Sequence, residues 1–332
     1  MRAVVLESRG EPDVLKVREV PDPVAGPEEV VVDVVATALN RADLLQRRGF
    51  YPSPPLAGFM PPAPEIPGME FAGRVVAVGE RVVDAVVGEE VMGIVGGGAY
   101  AEKVVVHERQ LMRVPRGVTV ADAAAIPEVW ITAWDALVAQ GGLSSGRTAL
   151  VHAGASGVGT AAIQLCRAIG AHVVVTASTG KVEACRELGA DLVVDYGQEV
   201  FEDAAKVFTH GLGVDVVLDV IGGDYVDRNV DALKVGGTIV LVGVMGGGRA
   251  EVNVGALLPK RATVVGTVLR GRPLEEKIAT SRRFAAEVLP LFDAGTVRPV
   301  IDSRYRLDDI AAAHDRMEAN ANVGKIVVDV QS

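Results

Sequence analysis

Cysteine is nearly absent from this chain. Only Cys166 and Cys185 occur among 332 residues, and no CxxC pair is present. Two lone thiols argue against a disulfide framework, and the lack of closely spaced cysteines argues against a structural zinc lobe. Such sparse cysteine usage is typical of proteins from a reducing compartment, so we expect a cytoplasmic protein.

Long apolar runs and an excess of basic residues are also lacking. No run approaches the roughly 20 apolar residues that a membrane-spanning helix needs, and the stretch MRAVVLESRG lacks the regions of a signal peptide. Lys and Arg number 33 against 43 Asp and Glu, which gives a formal net charge of −10. Because an acidic surface repels phosphate backbones, we expect a soluble protein with neither a membrane nor a nucleic-acid partner.

Glycine is abundant, with 38 residues, and the length of 332 residues suits two domains. Residues 1–126 contain short β-rich runs, such as EEVVVDVVATAL and GRVVAVG, separated by Gly and Pro clusters. This pattern predicts a partly open β-barrel. The segment YPSPPLAGFMPPAPEIPG, residues 51–68, is too rich in proline for a helix or a central strand. It predicts a surface loop, which is either a plain linker or the rim of a pocket.

From about residue 127 the pattern changes from β-rich runs to α/β alternation. A helix is predicted through IPEVWITAWDALVAQG, and six apolar strands follow, in TALVHA, HVVVTA, DLVVDY, VDVVLDV, TIVLVGV and ATVVGTVL. Such strands with helices between them form a doubly wound parallel sheet, so residues 127–265 predict a Rossmann domain. Residues 266–332 predict two helices and a final strand that return to complete the first domain.

A glycine-rich turn, HAGASGVGTAAIQL, follows the first predicted strand of the Rossmann domain. Such a turn lets the backbone approach a pyrophosphate, whose charge is favoured at the N-terminus of the next helix. A lone glycine fingerprint is a weak signal, but its place between a buried strand and an amphipathic helix predicts dinucleotide binding. The predicted phosphate loop comprises Gly154, Ala155, Ser156, Gly157, Val158 and Gly159.

The end of the second Rossmann strand bears on the choice of cofactor. NAD-specific sites usually place an acid there to hold the ribose hydroxyls, whereas this chain has TASTGK. Ser178 and Lys181 can donate to a 2′-phosphate, and Tyr196, after the third strand, can reach the adenosine from the side. Lys181 alone would read as an ordinary solvated residue in the first turn of a helix. The three residues together favour NADPH.

The chain resembles the medium-chain dehydrogenase/reductase superfamily, and within it the zinc-free quinone oxidoreductases. The resemblance rests on the motifs NRADLLQRRGFYPSPP, PGMEFAGRVVAVG, GGGAYAEKVVV, AAAIPEVWITAW, HAGASGVGTAAIQL, LDVIGG and MEANANVGKIV, in the order of the family. It covers essentially the whole chain and is strongest for the subgroup of the tumour-suppressor-inducible NADPH quinone reductase of animals. The resemblance implies an α/β fold with a GroES-like β-barrel domain and a Rossmann domain.

The resemblance also implies which residues stand at the positions of the catalytic zinc ligands. In the zinc-dependent relatives three ligand positions, typically Cys, His and Cys, correspond to Asn40, Met69 and Glu128 here. One amide, one thioether and one carboxylate do not make a competent tetrahedral zinc site. We therefore expect no metal, and a reaction that needs no Lewis acid.

A quinone suits such a site because hydride addition places negative charge on an oxygen already conjugated to the acceptor carbon. The sequence therefore predicts an NADPH:quinone oxidoreductase. Two alternatives stay open: reduction of enones or enals by the same machinery, and a crystallin-like role in which NADPH is bound but activity is low. The predicted catalytic residues are Asn40, whose amide can donate to a substrate carbonyl, and Tyr51, which can stack on a quinone or donate to it. Asn40 could instead fix a turn, and Tyr51 could be an exposed loop aromatic.

Further cofactor contacts are implied by the resemblance. Asn40 should lie beside the nicotinamide as well as near the acceptor. Asn322 and Lys325 are family positions near the cofactor, with a structural role in a turn as the alternative. Glu128 is ambiguous, since it can orient a neighbour, relay a proton or cap a helix. The segment Val242, Gly243, Val244 and Met245 is predicted to bound the nicotinamide because the C-terminal end of a Rossmann strand faces the ligand crevice. The other predicted contacts are Thr132 and Leu269.

Two remaining features carry weaker predictions. The five histidines share no metal-ligand spacing, and His152 is predicted to be a packed residue of the first Rossmann strand. The strand in RATVVGTVL is apolar and would be an aggregation risk at a bare sheet edge. In the superfamily the corresponding strand pairs across a two-fold axis, so a homodimer is expected.

Overall fold

The computed structural model describes residues 1–51, 56–58 and 63–331. The chain divides into two compact units: unit 1 contains Met1–Glu128 and the chain from Arg270 onward, and unit 2 contains Val129–Leu269. Residues 52–55 and 59–62, on which the prediction of a linker or pocket rim largely depends, lie outside the described residues.

The described residues form fifteen strands and ten α-helices. The strands are β1 (Arg2–Leu6), β2 (Leu15–Glu19), β3 (Glu29–Ala38), β4 (Glu70–Val78), β5 (Glu90–Ile94), β6 (Lys103–His107), β7 (Met112–Arg113), β8 (Thr148–Val151), β9 (His172–Ala177), β10 (Leu192–Asp195), β11 (Val214–Asp219), β12 (Leu233–Leu241), β13 (Thr263–Gly266), β14 (Ile301–Arg306) and β15 (Lys325–Asp329). The helices are α1 (Arg41–Arg47), α2 (Val120–Ala123), α3 (Pro127–Trp134), α4 (Gly157–Ile169), α5 (Val182–Glu187), α6 (Phe201–Phe208), α7 (Tyr225–Ala232), α8 (Val254–Lys260), α9 (Leu274–Asp293) and α10 (Ile310–Glu318).

Unit 1 is organised around strand β3. Its ten residues pair antiparallel with β4, β6 and β15 in a sheet of order β14-β15-β3-β4-β5-β7, with β6 off that path. Val327 of β15 lies opposite Ala38 of β3, which brings the C-terminal strand to the end of β3, where Asn40 is the N-cap of α1. The last segment of the chain thus joins the same unit as the first 128 residues.

Unit 2 contains a six-stranded sheet in which every neighbouring pair is parallel, with the order β10-β9-β8-β11-β12-β13. The prediction of a doubly wound sheet from six apolar runs is confirmed. The strand order reverses between β8 and β11, and in such sheets ligands bind at the carboxyl ends of the strands beside this point. Strand β13 lies at the sheet edge, and the homodimer stays a prediction.

Apolar side chains explain why the central strands of unit 2 lie inside. Alternation is absent in β8, β9 and β11 because a parallel sheet covered by helices buries both faces, and Leu150, Val174 and Val217 are fully buried. Within the described residues, every helix is too short or too polar to cross a lipid bilayer.

Candidate active site

The phosphate loop of unit 2 follows β8 and leaves no room for side chains at two glycines. A Cβ on Gly159 would lie 2.3 Å from the carbonyl oxygen of Ala153, and one on Gly154 would lie 2.7 Å from Cβ of Val175. Ala153 itself adopts a left-handed conformation with φ of 57°. The loop therefore turns tightly from strand to helix, as a backbone that approaches a pyrophosphate must.

Ser156 is the N-cap of α4, and its Oγ accepts a hydrogen bond of 3.0 Å from the backbone N–H of Gly159. This cap stabilises the start of a 13-residue helix whose N-terminus favours an anion. The Gly154 N–H donates to the carbonyl of Thr176 at 2.8 Å, which ties the loop to the end of β9. The cradle fits the phosphates of a dinucleotide, and the direct contact predicted for Ser156 stays a prediction.

The segment after β9 holds the predicted determinants of the 2′-phosphate. Ser178 precedes a short 3₁₀ turn of Thr179–Lys181, and both Ser178 and Lys181 are half-buried. Tyr196 follows β10 and is 53% exposed. All three follow neighbouring strands of one sheet at their carboxyl ends, so the structure brings the predicted determinants to the same edge.

The other predicted cofactor positions are distributed over both units. In unit 2, Thr132 is half-buried in α3, Leu269 is buried, and the segment from Val242 to Met245 directly follows β12. In unit 1, Asn322 is buried and its Nδ2 donates to the carbonyl of Gly324 at 2.8 Å. Their contacts to a cofactor stay predictions.

His152 is packed inside unit 2, as the sequence predicted. Its Nε2 lies 2.7 Å from Oδ1 of Asn229, and its Nδ1 lies 3.1 Å from Oγ1 of Thr176. Asn229 in turn donates to Asp219 at 2.9 Å, and burial lowers the pKa of His152. This network joins the ends of β8, β9 and β11 and so supports the phosphate loop.

Unit 1 contains a buried polar cluster, formed by Asn40, Asp43, Glu70, Tyr100 and Lys325. Its centre is an ion pair, in which Nζ of Lys325 lies 2.7 Å from Oε1 of Glu70. Both side chains are almost fully buried. The ammonium also donates to Oδ1 of Asn40 at 2.8 Å and to the carbonyl of Leu39. Three acceptors thus match the three hydrogens of the Lys325 ammonium.

Asn40 holds this ion pair from the start of α1. Its Nδ2 donates to Oε1 of Glu70 at 2.8 Å and to the carbonyl of Ala38 at 3.3 Å. Because both amide hydrogens have protein acceptors, the geometry supports a positioning role for Asn40 on Glu70 and Lys325. Its predicted hydrogen bond to an acceptor, and the predicted cofactor contacts of Asn40 and Lys325, stay predictions.

Asp43 links α1 to Tyr100. Its Oδ2 accepts from the backbone N–H of Asn40 at 2.8 Å and from the Tyr100 hydroxyl at 2.9 Å, whereas its buried Oδ1 has no partner within residues 1–51, 56–58 and 63–331. Burial raises the pKa of Asp43 to about 6, although the bonds from Asn40 and Tyr100 oppose this shift. The carboxyl group therefore titrates close to physiological pH.

Glu128 lies beside the cluster. Its backbone N–H donates to Oε2 of Glu70 at 2.9 Å, so the Glu70 carboxylate is bonded to both Asn40 and Glu128. Burial first, and repulsion by Glu70 second, raise the pKa of Glu128 to about 8. At pH 7 Glu128 is mostly a neutral carboxylic acid, and such a group can donate a proton to a substrate.

Arg270 and Tyr51 form a second pair in unit 1. The Arg270 guanidinium carbon lies 5.0 Å from the centre of the Tyr51 ring, within the range of a cation–π contact. Nη2 of Arg270 donates to Oε1 of Gln46 at 2.8 Å, whereas its Nε and Nη1 are buried and have no partner in the part of the chain that the structure describes. Unsatisfied buried donors cost on the order of 1–3 kcal/mol each, so this arrangement calls for an explanation.

The three positions that the resemblance assigns to the zinc ligands of the relatives hold groups that do not suit zinc. The Asn40 amide is bonded to Lys325 and Glu70, Met69 offers only a buried thioether, and Glu128 is mostly protonated at pH 7. Zinc in proteins prefers thiolate, imidazole or ionised carboxylate ligands. Among the residues that the structure describes, no three His, Cys, Asp or Glu side chains are placed to share a metal ion.

Several residues of this site were not singled out from the sequence. Asp43 and Glu70 lie inside the motifs NRADLLQ and PGMEFAG, so the motifs themselves could have drawn attention to these acids. Tyr100 lies in GGGAYAEK in the same way. No sequence signal points to Arg270, because an arginine in VLRGRP reads as an ordinary surface residue.

A dinucleotide cradle in unit 2 and a cluster of ionisable groups in unit 1 together define the class of this protein, which is an NAD(P)-dependent oxidoreductase. Residues 26–116 match the alcohol dehydrogenase GroES-like domain family, and residues 157–287 match the zinc-binding dehydrogenase family. The chain belongs to the medium-chain dehydrogenase/reductase superfamily, and the fold predicted from the sequence is confirmed.

Known proteins similar to this chain include a curated relative from Rattus norvegicus, the synaptic vesicle membrane protein VAT-1 homolog. It is 34% identical over 347 residues, which cover 99% of this chain and 84% of the relative. A mycobacterial protein solved in complex with NADPH is 29% identical with a TM-score of 0.88, and 99% of this chain and 100% of that one are covered. A quinone oxidoreductase from Pseudomonas syringae is 29% identical with a TM-score of 0.86, and 99% of each chain is covered.

Proposed function

We propose that this oxidoreductase transfers a hydride from NADPH to a quinone without a zinc ion, as the animal NADPH quinone reductases that it resembles do. The carrying observation is the set of groups at the former ligand positions, where Asn40 is bonded to the Lys325 ammonium in place of a metal. Support for the acceptor comes from the similar quinone oxidoreductase, and support for the cofactor comes from the similar protein solved with NADPH.

The roles of the two units follow from their chemistry. Unit 2 binds the cofactor through the loop from Gly154 to Gly159, and NADPH, when bound, supplies the hydride. Unit 1 acts on the acceptor: Tyr51 offers a ring for stacking, and Glu128 offers a proton. The Lys325–Glu70 pair holds Asn40 and the backbone of Glu128 in place.

Reduction of enones or enals is the second function that an observation favours. Hydride addition to an enone leaves an enolate, which must be protonated before the product is stable. The mostly neutral carboxylic acid of Glu128 suits that step. A hydroquinone anion, in contrast, is stable enough to take its proton from water.

The test is steady-state oxidation of NADPH with ortho-quinones, para-quinones and enones, on protein purified without chelator and again after EDTA treatment. We expect turnover of the quinones, no stoichiometric zinc by elemental analysis, and no loss of activity with EDTA. One zinc per chain that leaves together with activity would overturn the zinc-free proposal, and turnover of enones alone would select the second function.

The preference for NADPH is tested at Lys181. Replacing Lys181 with alanine should weaken NADPH binding by about 1.5–3 kcal/mol, because a hydrogen bond to a charged phosphate is lost. NADH has no 2′-phosphate, so its affinity should hardly change. Fluorescence titration of both cofactors measures the two affinities. Equal losses for NADPH and NADH would mean that Lys181 serves the structure of the loop.

A further inference from the structure

Arg270 is a buried cation with little compensation. It is 8% exposed, and Gln46, a neutral amide, is the residue to which its guanidinium donates. Nε and Nη1 have no hydrogen-bond partner among the described residues and are shielded from solvent. In the part of the chain that the structure describes, no carboxylate forms an ion pair with Arg270. Buried charges are normally paired. Among the described residues of unit 1, Lys325 pairs with Glu70 and Arg47 pairs with Glu318, so Arg270 differs from these two buried cations.

The acids around Arg270 are Glu65, Asp43 and Glu128, and among the described residues none of them forms an ion pair with it. Glu65 pairs with Arg9 at 2.8 Å. Asp43 accepts from Tyr100 and from the Asn40 backbone, and Glu128 is mostly neutral at pH 7. These acids attract the guanidinium through space, but its Nε and Nη1 have no carboxylate partner among the described residues.

Tyr51 indicates what kind of molecule would carry that group. Its ring lies against the Arg270 guanidinium at 5.0 Å. A planar conjugated ring can stack on the Tyr51 ring or on the plane of the guanidinium. A carboxylate or sulfonate on such a ring can accept two parallel hydrogen bonds from a guanidinium. Because Nε and Nη1 are shielded, such a ligand must displace a neighbouring side chain, and the Tyr51 ring lies 5.0 Å from the guanidinium carbon.

We infer that Arg270 binds an acidic substituent of the acceptor, so that the preferred substrates are conjugated carbonyl compounds that carry a carboxylate or a sulfonate. This inference rests on the proposed function, which supplies the reaction, and it specifies in addition that the preferred acceptor is negatively charged. Arg270 is a specificity-determining residue in this account, and it takes no part in hydride or proton transfer.

The test compares 1,4-naphthoquinone with 1,4-naphthoquinone-2-sulfonate in the wild type, Arg270→Gln and Arg270→Lys. Arg270→Gln should lower kcat/KM for both quinones relative to the wild type or for the sulfonated one alone. The loss should be about 10- to 100-fold larger for the sulfonated quinone than for the neutral one, because a charge-assisted contact is removed. Each quinone is compared between the variant and the wild type, so the different intrinsic reactivities of the two quinones cancel. Arg270→Lys, which keeps the charge but not the planar fork, should recover part of the loss.

Arg272→Gln is the matched control, because it removes the same charge two residues away, where Nη1 of Arg272 donates to Oγ1 of Thr280. Its ratio of the two kcat/KM values should equal that of the wild type. Thermal melting of each variant shows whether it is folded. An equal loss for both quinones in Arg270→Gln, or the same ratio in Arg270→Gln and Arg272→Gln, would overturn the inference.

A binding measurement separates this inference from the proposed reaction. Naphthalene-2-sulfonate cannot be reduced by hydride transfer, so calorimetry with this probe reports on binding alone. We expect binding to the wild type and at least 10-fold weaker binding to Arg270→Gln. If no quinone is reduced but this difference is present, the proposed function fails and the anion site stands. If quinones are reduced and the probe binds both proteins equally, the anion site fails alone.

Discussion

Replacing Lys325 with methionine is expected to lower the free energy of unfolding by about 3–5 kcal/mol, the largest stability effect that we predict. The reason is that Lys325 compensates the fully buried carboxylate of Glu70 at 2.7 Å. Removing one partner of a buried ion pair leaves an uncompensated charge in a medium that solvates it poorly. Urea denaturation at pH 7, followed by circular dichroism, measures the loss.

Lys234→Met is the matched control for this change. Lys234 pairs with Asp215 at 3.1 Å, but its side chain is 42% exposed, so the expected loss is below about 1 kcal/mol. The double variant Lys325→Met with Glu70→Gln should be less destabilised than Lys325→Met alone, because no buried charge is then left unpaired. Similar losses in Lys325→Met and Lys234→Met would contradict the assignment of a buried, stabilising pair.

The second large effect is expected on catalysis, from Glu128→Gln. If Glu128 is the proton donor, kcat/KM for an enone should be constant at low pH and fall as the pH rises through about 8, where the acid ionises. Glutamine cannot supply the proton, so the plateau should drop by about 10²-fold and the fall near pH 8 should vanish. For a quinone the loss should be smaller, because water can protonate the hydroquinone anion.

Stability provides an independent check on the same variant. The pKa of Glu128 is raised in the folded state from 4.5 to about 8, so the unfolded state ionises more readily and stability falls as the pH rises from 4.5 to 8. Glu128→Gln should therefore melt at a higher temperature than the wild type at pH 8, and gain little at pH 4. Glu80→Gln, at an exposed position of unit 1, should alter neither the pH profile nor the melting temperature. A Glu128→Gln enzyme with the wild-type pH profile would exclude Glu128 as the donor.

Much of unit 2 could be predicted because its signals are local. A buried parallel strand is a short apolar run, and a dinucleotide turn needs glycines at fixed spacing. The six strands and the loop from Gly154 to Gly159 could therefore each be predicted from their own segment of the sequence. Gly159 illustrates the reason, since a Cβ there would lie 2.3 Å from the backbone of its own loop. The residues that determine the conformation of this loop are thus its own neighbours in the sequence.

The polar cluster of unit 1 could not be predicted in the same way. Resemblance pointed to Asn40 and Lys325 separately, but it did not indicate that they are bonded across 285 positions of sequence, or that both bind Glu70. Their meeting depends on the pairing of β15 with β3, a long-range contact that leaves no periodicity in either segment.

Amino-acid composition, strand periodicity and the glycine turn were thus sufficient to predict the α/β fold class and the tight turn between β8 and α4, because steric limits and burial act on neighbouring residues. The ionisation of Asp43 and Glu128, and the unpaired nitrogens of Arg270, arose from folding itself. A carboxyl group in water has an ordinary pKa, and an arginine in water is solvated. These groups acquire unusual chemistry only when distant segments exclude water from them and determine which partners they meet.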